Sequence, residues 1–151
     1  MAVFFGNQAA FTPGTAQNWV LDANDLGDIA MVLEVSWGGE LTTSTAQRTR
    51  WLRPTTDGSG TFTAVGAVQS SRSGAVAKNR FGTFATAPVN PTAPAALYAT
   101  SWNAHGGIGR WLAAPGEEWL LIHDAGNQLV CINDVGAVAT SMSAGCGWKE
   151  D

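Results

Sequence analysis

The amino-acid sequence predicts an all-β fold, a single-domain β-sandwich over residues 1–151 with jelly-roll-like connectivity. Apolar residues alternate with polar ones at a period of two, and turn-forming Gly, Pro, Asn and Asp separate the alternating runs. No segment carries the cap, apolar stripe and stop signal of a helix. Only 13% of the residues are charged, which excludes a coiled coil or a charged helical bundle.

The clearest strand lies at 29–37, where the period of two predicts five apolar side chains on one face: Ile29, Met31, Leu33, Val35 and Trp37. Gly38 and Gly39 follow as a predicted tight turn. Residues 106–109, Gly-Gly-Ile-Gly, are predicted to connect two strands. Further strands are predicted at 15–21, 42–53, 61–68, 75–86, 96–102, 110–113, 118–123, 128–132 and 137–142, and a last one ends at 148–151.

A proline-rich segment, 87–94, divides the chain, with Pro88, Pro91 and Pro94 at every third position. Each proline lacks a backbone N–H, so this segment cannot be a central strand and favours an extended polyproline geometry. Fewer than 60 residues follow it, which is marginal for an independent domain. We therefore expect a connection that crosses one edge of a single sandwich.

Charge is unevenly distributed along the sequence. Residues 41–80, the basic window, contain six of the eight Lys and Arg residues and one of the twelve Asp and Glu residues, so the window carries +5 and the remainder −9. Within it, Arg48 and Arg50 are predicted to lie on one exposed strand face. This division suits contact with further copies of the chain or with a charged lattice, although a solvated strand face would give the same pattern. The net charge of −4 argues against nucleic acid as a partner.

Neither a secretion signal nor a membrane span is expected from the sequence. The apolar residues 1–5 have no basic segment before them, and no apolar run approaches the roughly 18 residues of a membrane helix. Cys131 and Cys146 are expected to be free buried thiols, with a single bridge between them as the alternative. We therefore expect synthesis in a reducing cytoplasm and no membrane as a partner.

The sequence has no residue pattern typical of an enzyme, so no catalytic residue, metal or cofactor is expected. His123 and Asp124 would point to opposite faces of a strand, and no Gly-x-Ser-x-Gly motif is present. The residues of metal-ligand type stand in four separate segments without the spacing of a metal site: His105, His123, Cys131 and Cys146.

The seven Trp residues are expected to fill the sandwich core for the most part. Two or three exposed ones could instead stack on sugar rings, and Trp102 beside Asn103 is the pair with a neighbouring amide. A carbohydrate-binding module is therefore the main alternative class.

Three segments resemble small structural proteins of tailed bacteriophages: 47–54 (Gln-Arg-Thr-Arg-Trp-Leu-Arg-Pro), 97–102 (Leu-Tyr-Ala-Thr-Ser-Trp) and 148–151 (Trp-Lys-Glu-Asp). Among these, the chain is most similar to capsid decoration, or cement, proteins, which sit on the capsid lattice, often as trimers with a jelly-roll or related β fold. The resemblance implies a virion protein of the capsid surface, made in the host cytoplasm. A tail or baseplate component, and a sugar-binding module that attaches to a host surface, are the alternatives.

The resemblance implies binding without catalysis, with copies of the chain itself, as a trimer, and the major capsid protein as partners. Each copy would bridge neighbouring capsid subunits. The elements predicted to reach a partner are four arginines, the apolar N-terminal arm and the proline-rich segment, with the residues Arg48, Arg50, Arg53, Arg80, Phe4, Phe5 and Pro91.

Overall fold

The computed structural model describes residues 2–23, 28–69, 76–92, 95–122, 128–134 and 141–150. These residues form twelve β-strands and no helix, which confirms the all-β prediction. The strand pairings between them are antiparallel, and the strands form two six-stranded sheets that pack on each other as a β-sandwich. The jelly-roll connectivity stays a prediction.

Sheet A contains β1 (Ala2–Phe11), β3 (Ile29–Glu40), β6 (Ala67–Gln69), β9 (His105–Leu112), β10 (Trp119–Ile122) and β12 (Met142–Glu150). Its order is β10-β3-β12-β1-β6, and β9 also pairs with β3, beyond the end of β10. Sheet B contains β2 (Trp19–Asp22), β4 (Ala46–Leu52), β5 (Ser59–Ala64), β7 (Arg80–Thr86), β8 (Tyr98–Asn103) and β11 (Gln128–Asn133), in the order β5-β7-β2-β11-β4-β8.

The N-terminal segment is a central strand and not a free arm over the described residues 2–5, and the prediction that Phe4 and Phe5 reach a partner stays a prediction. Strand β1 pairs with β12 on one side and with β6 on the other. Phe4 is only 2% exposed, and its ring stacks on Trp148 with 6.0 Å between the ring centroids. The alternation within 2–11 therefore belongs to a strand whose inward side chains complete the core.

Tryptophan rings fill the space between the two sheets. Trp37 of sheet A packs on Trp51 of sheet B with 4.6 Å between ring centroids, and Trp19 packs on Phe81 at 4.9 Å. Five of the seven Trp side chains are buried, which confirms that most of them form the core: Trp19, Trp37, Trp51, Trp102 and Trp148. Strands from before and after the proline-rich segment contribute to this one cluster.

Residues 106–109 belong to strand β9, so the prediction of a connection there is wrong. Gly109 lies opposite Trp37, and a Cβ atom at Gly109 would overlap the indole ring. The missing side chain lets β9 approach β3 over this large ring, since glycine in a strand often marks a close approach.

Two other predicted strands differ in extent from the observed ones. The run 61–68 is divided between β5 in sheet B and β6 in sheet A. Within the run 75–86, the described residues 76–79 are not a strand and β7 begins at Arg80. The described part of the proline-rich segment, 87–92, is not a strand of either sheet, as predicted. It is attached by a bridge between Val89 and Thr56 and by the side chain of Asn90, which donates to the carbonyl oxygen of Ala16 at 2.6 Å.

Candidate interaction surfaces

Arg48 and Arg50 lie on the same face of β4, as predicted, but only one of them is exposed. Arg50 is 6% exposed; its guanidinium pairs with Asp134 and donates to the carbonyl oxygen of Ala95 at 3.3 Å. The Nε atom of Arg48 lies 3.1 Å from the same carboxylate, and this side chain is 50% exposed. The prediction of an exposed arginine pair is therefore wrong for Arg50, because a carboxylate outside the basic window neutralises it.

Other basic residues of the window are also paired within the chain. The Nε atom of Arg80 lies 3.1 Å from Asp22, and its guanidinium lies 4.6 Å from the centroid of the Phe62 ring. The Nζ atom of Lys78 lies 3.7 Å from Asp28. Four of the six basic residues of the window are therefore paired with carboxylates inside the molecule: Arg48, Arg50, Lys78 and Arg80.

Arg53 and Pro91, two residues predicted to reach a partner, lie together. They line an open cavity of about 330 Å3 whose wall is completed by Leu52, Ala95, Ala96 and Leu97. Arg53 also donates from Nη2 to the carbonyl oxygen of Leu120 in sheet A. This cavity is the one place where the structure brings predicted partner residues of different segments together among the described residues.

Phe5 differs from Phe4 because its side chain is on the outer face of sheet A. It is half-buried there, and a Cβ atom at Gly147 would contact both its ring and the side chain of Glu34. The prediction that Phe5 reaches a partner is untested, and its position on an outer face is compatible with it.

A β-bulge in β3 decides which side chains face outward. Opposite β12, Val32 pairs with Trp148 and Glu34 pairs with Gly147, so Leu33 is an extra residue. A bulge of this kind reverses the faces of all side chains beyond it.

Because of this bulge, the prediction that the apolar side chains of 29–37 share one face is wrong. The buried side chains of β3 are Ala30 and Val32 before the bulge and Val35 and Trp37 after it. Ile29 and Met31 therefore lie on the outer face of sheet A, where they are half-buried.

Neighbouring strands extend this apolar surface. Leu120 and Ile122 of β10 pair with Met31 and Ile29 and are 40% and 37% exposed, while Ile108 and Leu112 of β9 are 87% and 57% exposed. We call these six residues the apolar outer face: Ile29, Met31, Ile108, Leu112, Leu120 and Ile122. The apolar outer face was not predicted from the sequence, although residues 119–122 indicate it. The run 119–122 is Trp-Leu-Leu-Ile, which is apolar on both faces, and such runs are typical of strands covered on both sides.

The two cysteines are free, as expected, and both are buried in the core. Removal from water raises the pKa of the Cys131 thiol to about 12, and the same effect raises the pKa of Cys146 well above its ordinary value. Both groups are therefore protonated and shielded at neutral pH.

Candidate metal-ligating side chains do not come together in the described residues. No group of three or more His, Cys, Asp and Glu side chains within them could hold a metal ion. His105 places its Nδ1 atom 2.8 Å from the carbonyl oxygen of Leu41. His123 and Asp124 lie outside the described residues.

The predicted sugar-stacking pair is not available on the surface. Trp102 is 9% exposed, and its Nε1 atom donates to the hydroxyl of Thr49 at 2.9 Å. The half-buried Trp111 and Trp119 stack on each other with 4.0 Å between ring centroids and pack against the core.

Comparison with known proteins assigns this chain to no family. No protein-family model, no curated protein and no solved structure matches this chain. Within the described residues, the structure has no helix of the length and apolarity needed to cross a membrane. Of the seven large apolar side chains that are exposed among the described residues, four belong to the apolar outer face.

Proposed function

We propose that this chain is a non-enzymatic structural protein of a bacteriophage virion, a capsid decoration protein that associates with copies of itself and stabilises the capsid lattice. The apolar outer face is the observation that carries the proposal. Four of its side chains are 37–87% exposed on one side of one sheet. Exposed apolar side chains gathered on one sheet face are typical of a protein–protein interface.

Apolar contact, rather than charge, is the main source of affinity in this proposal. Several arginines of the basic window are already paired with carboxylates of the same chain. Exposed ion pairs contribute only about 0–1 kcal/mol each, whereas a fully buried Leu or Ile contributes about 1.5–3 kcal/mol. Docking to the major capsid protein should therefore weaken only slightly as salt is raised.

The proposal is tested with virus particles that lack this chain. Leu120 and Leu97 make a matched pair, because they are 40% and 41% exposed but lie on different surfaces. Leu120 belongs to the apolar outer face, and Leu97 lines the cavity beside Arg53 and Pro91. We expect Leu120→Lys to abolish particle binding and Leu97→Lys to preserve it, with circular dichroism showing that both variants fold.

The other possible results of this experiment contradict the proposal in different ways. Loss of binding in Leu97→Lys alone moves the docking surface to the cavity and overturns the role of the apolar outer face. A wild-type chain that does not bind the particles overturns the capsid proposal. Labelling of virions on the tail instead of the head, in electron micrographs, favours the tail or baseplate alternative.

A further inference from the structure

Strand β9 has one unpaired edge among the described strands. It pairs with β3 through Val35 and Trp111, and the N–H of Ala113 donates to the carbonyl oxygen of Leu33 at 2.8 Å. In an antiparallel ladder the amide groups of successive residues point to opposite edges. Residues 109, 111 and 113 therefore point their amide groups toward β3, and residues 108, 110 and 112 point theirs away from it.

The other sheet edges in the described part of the chain are either protected or without exposed apolar side chains. The carbonyl oxygen of Leu120 on β10 accepts a hydrogen bond from Arg53, and β6 has only three residues. Strand β5 has a register shift between Ser59 and Phe62, and the exposed side chains of β8 are small or polar: Ala99, Ser101 and Asn103. Short length, bulges and polar side chains are the features that keep an edge from pairing.

The edge of β9 has the opposite character. Between Ile108 and Leu112 its pairing with β3 is regular, and the segment contains neither Lys nor Pro. Its one charged residue, Arg110, is paired with Glu34 of the same chain. The two residues that flank Arg110 on the outer face are apolar and exposed, Ile108 at 87% and Leu112 at 57%. An edge that is long, regular and apolar is suited to pair with another strand.

We propose that two copies of this chain associate through β9, with the two strands antiparallel about a twofold axis at Arg110. This register places Ile108 of each copy opposite Leu112 of the other, so the exposed apolar side chains of the edge meet in two equivalent pairs. It also places Gly109, which has no side chain, opposite Trp111. Such an interface is isologous, because each copy contributes the same surface.

Charge at the centre of the interface is balanced within each copy. The two Arg110 side chains would meet at the axis, but each is paired with Glu34 of its own chain, with 3.1 Å between the Nε atom and the carboxylate. The centre therefore contains two positive and two negative groups. The joined sheets would present the apolar outer faces of both copies on the same side, and these are the surfaces proposed to dock on the capsid.

This inference deepens the proposed self-association and rests on it, but it specifies an even number of copies. The trimer implied by the resemblance has no twofold axis, so the mass in solution distinguishes the two. Light scattering is expected to give twice the 15.7 kDa of the chain. A mass of one chain or of three chains overturns the pairing.

The register is tested with variants that have matched controls. We expect Ile108→Lys to weaken the dimer at least tenfold, about the effect of losing one buried apolar side chain. Val76→Lys is the control, because Val76 is 86% exposed and lies outside β9. Leu112→Glu should also weaken the dimer, and its control is Val89→Glu, since both residues are 57% exposed. Equal dimer affinity in Ile108→Lys and wild type overturns the proposal.

Mixing the two weakened variants tests the register itself. In the proposed register, a mixed dimer of the Ile108→Lys and Leu112→Glu chains places the new lysine opposite the new glutamate and keeps one Ile108–Leu112 pair. We expect the mixture to recover the dimer mass that each variant alone has lost. A mixture that stays monomeric overturns the register about Arg110. Capsid binding is scored separately with Leu120→Lys, so failure of the β9 pairing is distinguishable from failure of the docking proposal.

Discussion

Arg53 at the end of β4 donates a hydrogen bond to the carbonyl oxygen of Leu120 on β10, and so joins the two sheets at one edge of the sandwich. The acceptor is on the side of β10 that has no strand partner among the described residues. A charged side chain at such a position satisfies the edge and discourages pairing with another strand.

We expect Arg53→Ala to destabilise this edge locally. A hydrogen bond with a charged donor contributes about 1.5–3 kcal/mol, and partial exposure of this one reduces the expected loss to about 1 kcal/mol. Hydrogen exchange of residues 119–122 should accelerate, while exchange in β11 stays as in the wild type. Arg48→Ala, at an arginine with a half-exposed side chain, is the control. Unchanged exchange in β10 would contradict the bridging role of Arg53.

Arg50 and Asp134 form the least exposed ion pair between an arginine and a carboxylate in the described residues, with side chains 7% and 15% exposed. Removing one partner of a buried pair leaves an uncompensated charge and costs about 3–5 kcal/mol. We therefore expect Asp134→Asn to lower the free energy of unfolding by about 3 kcal/mol, measured by urea denaturation. Arg48→Ala should cost less than about 1 kcal/mol. Equal losses in the two variants would show that Arg50 does not depend on this carboxylate.

The all-β class is predictable from the sequence because alternation and turn signals are local. Which side chains of β3 face the core is not predictable in this way. The bulge at Leu33 depends on pairing with Gly147 and Trp148, which are more than a hundred residues away. Likewise, the role of Gly109 depends on the ring of Trp37, so a glycine-rich run was interpreted as a connection. The apolar outer face was missed for the same reason, since it exists only where three strands meet.

Deletion of single residues in β3 tests the assignment of Leu33 as the extra residue of the bulge. Without Leu33, Val32 would be followed directly by Glu34, so Val32 faces inward, Glu34 outward and Val35 inward in a regular ladder. We expect a chain lacking Leu33 to keep the β-type circular dichroism and cooperative unfolding of the wild type. Deletion of Ser36 instead should abolish cooperative unfolding, because it turns Trp37 away from the core. Two equally damaging deletions would contradict the assignment of Leu33 as the extra residue.

The two buried thiols predict a pH dependence of stability. Cys131 has a pKa of about 12 when folded, because burial penalises the thiolate, and an ordinary value near 8.5 when unfolded. The unfolded chain therefore loses this proton first, so the contribution of the neutral thiol to stability is complete below about pH 8.5 and is lost as the pH rises toward 12. We expect Cys131→Ala to reduce the slope of unfolding free energy against pH in this window by about 1.4 kcal/mol per pH unit.

Thiol reactivity provides an independent measurement of the same burial. A thiol reagent added at pH 8 should label neither cysteine in the native chain and both in urea, because the reactive species is the exposed thiolate. Rapid labelling of the native chain would show that the thiols are accessible.

Glu150, near the end of β12, accepts three hydrogen bonds from N–H groups and is itself 5% exposed. Its carboxylate accepts from the backbone N–H groups of Lys78 and Asn79, each at 2.9 Å, and from Nε1 of Trp148 at 2.8 Å. These bonds attach the segment before β7 of sheet B to the last strand of sheet A. One carboxylate therefore fixes both the Trp148 ring and the start of a strand in the facing sheet.

We expect Glu150→Gln to destabilise the fold, because the glutamine amide has one acceptor oxygen and places an NH2 group against a backbone donor. If its oxygen stays with Asn79 and Trp148, the part-buried N–H of Lys78 loses its acceptor, at a cost of about 1 kcal/mol. Urea unfolding should show this loss, and exchange of the Lys78 amide hydrogen should accelerate. Glu117→Gln, at an exposed glutamate, is the control and should leave both measurements at wild-type values. A Glu150→Gln chain with wild-type stability would mean that the carboxylate does not hold the two sheets together.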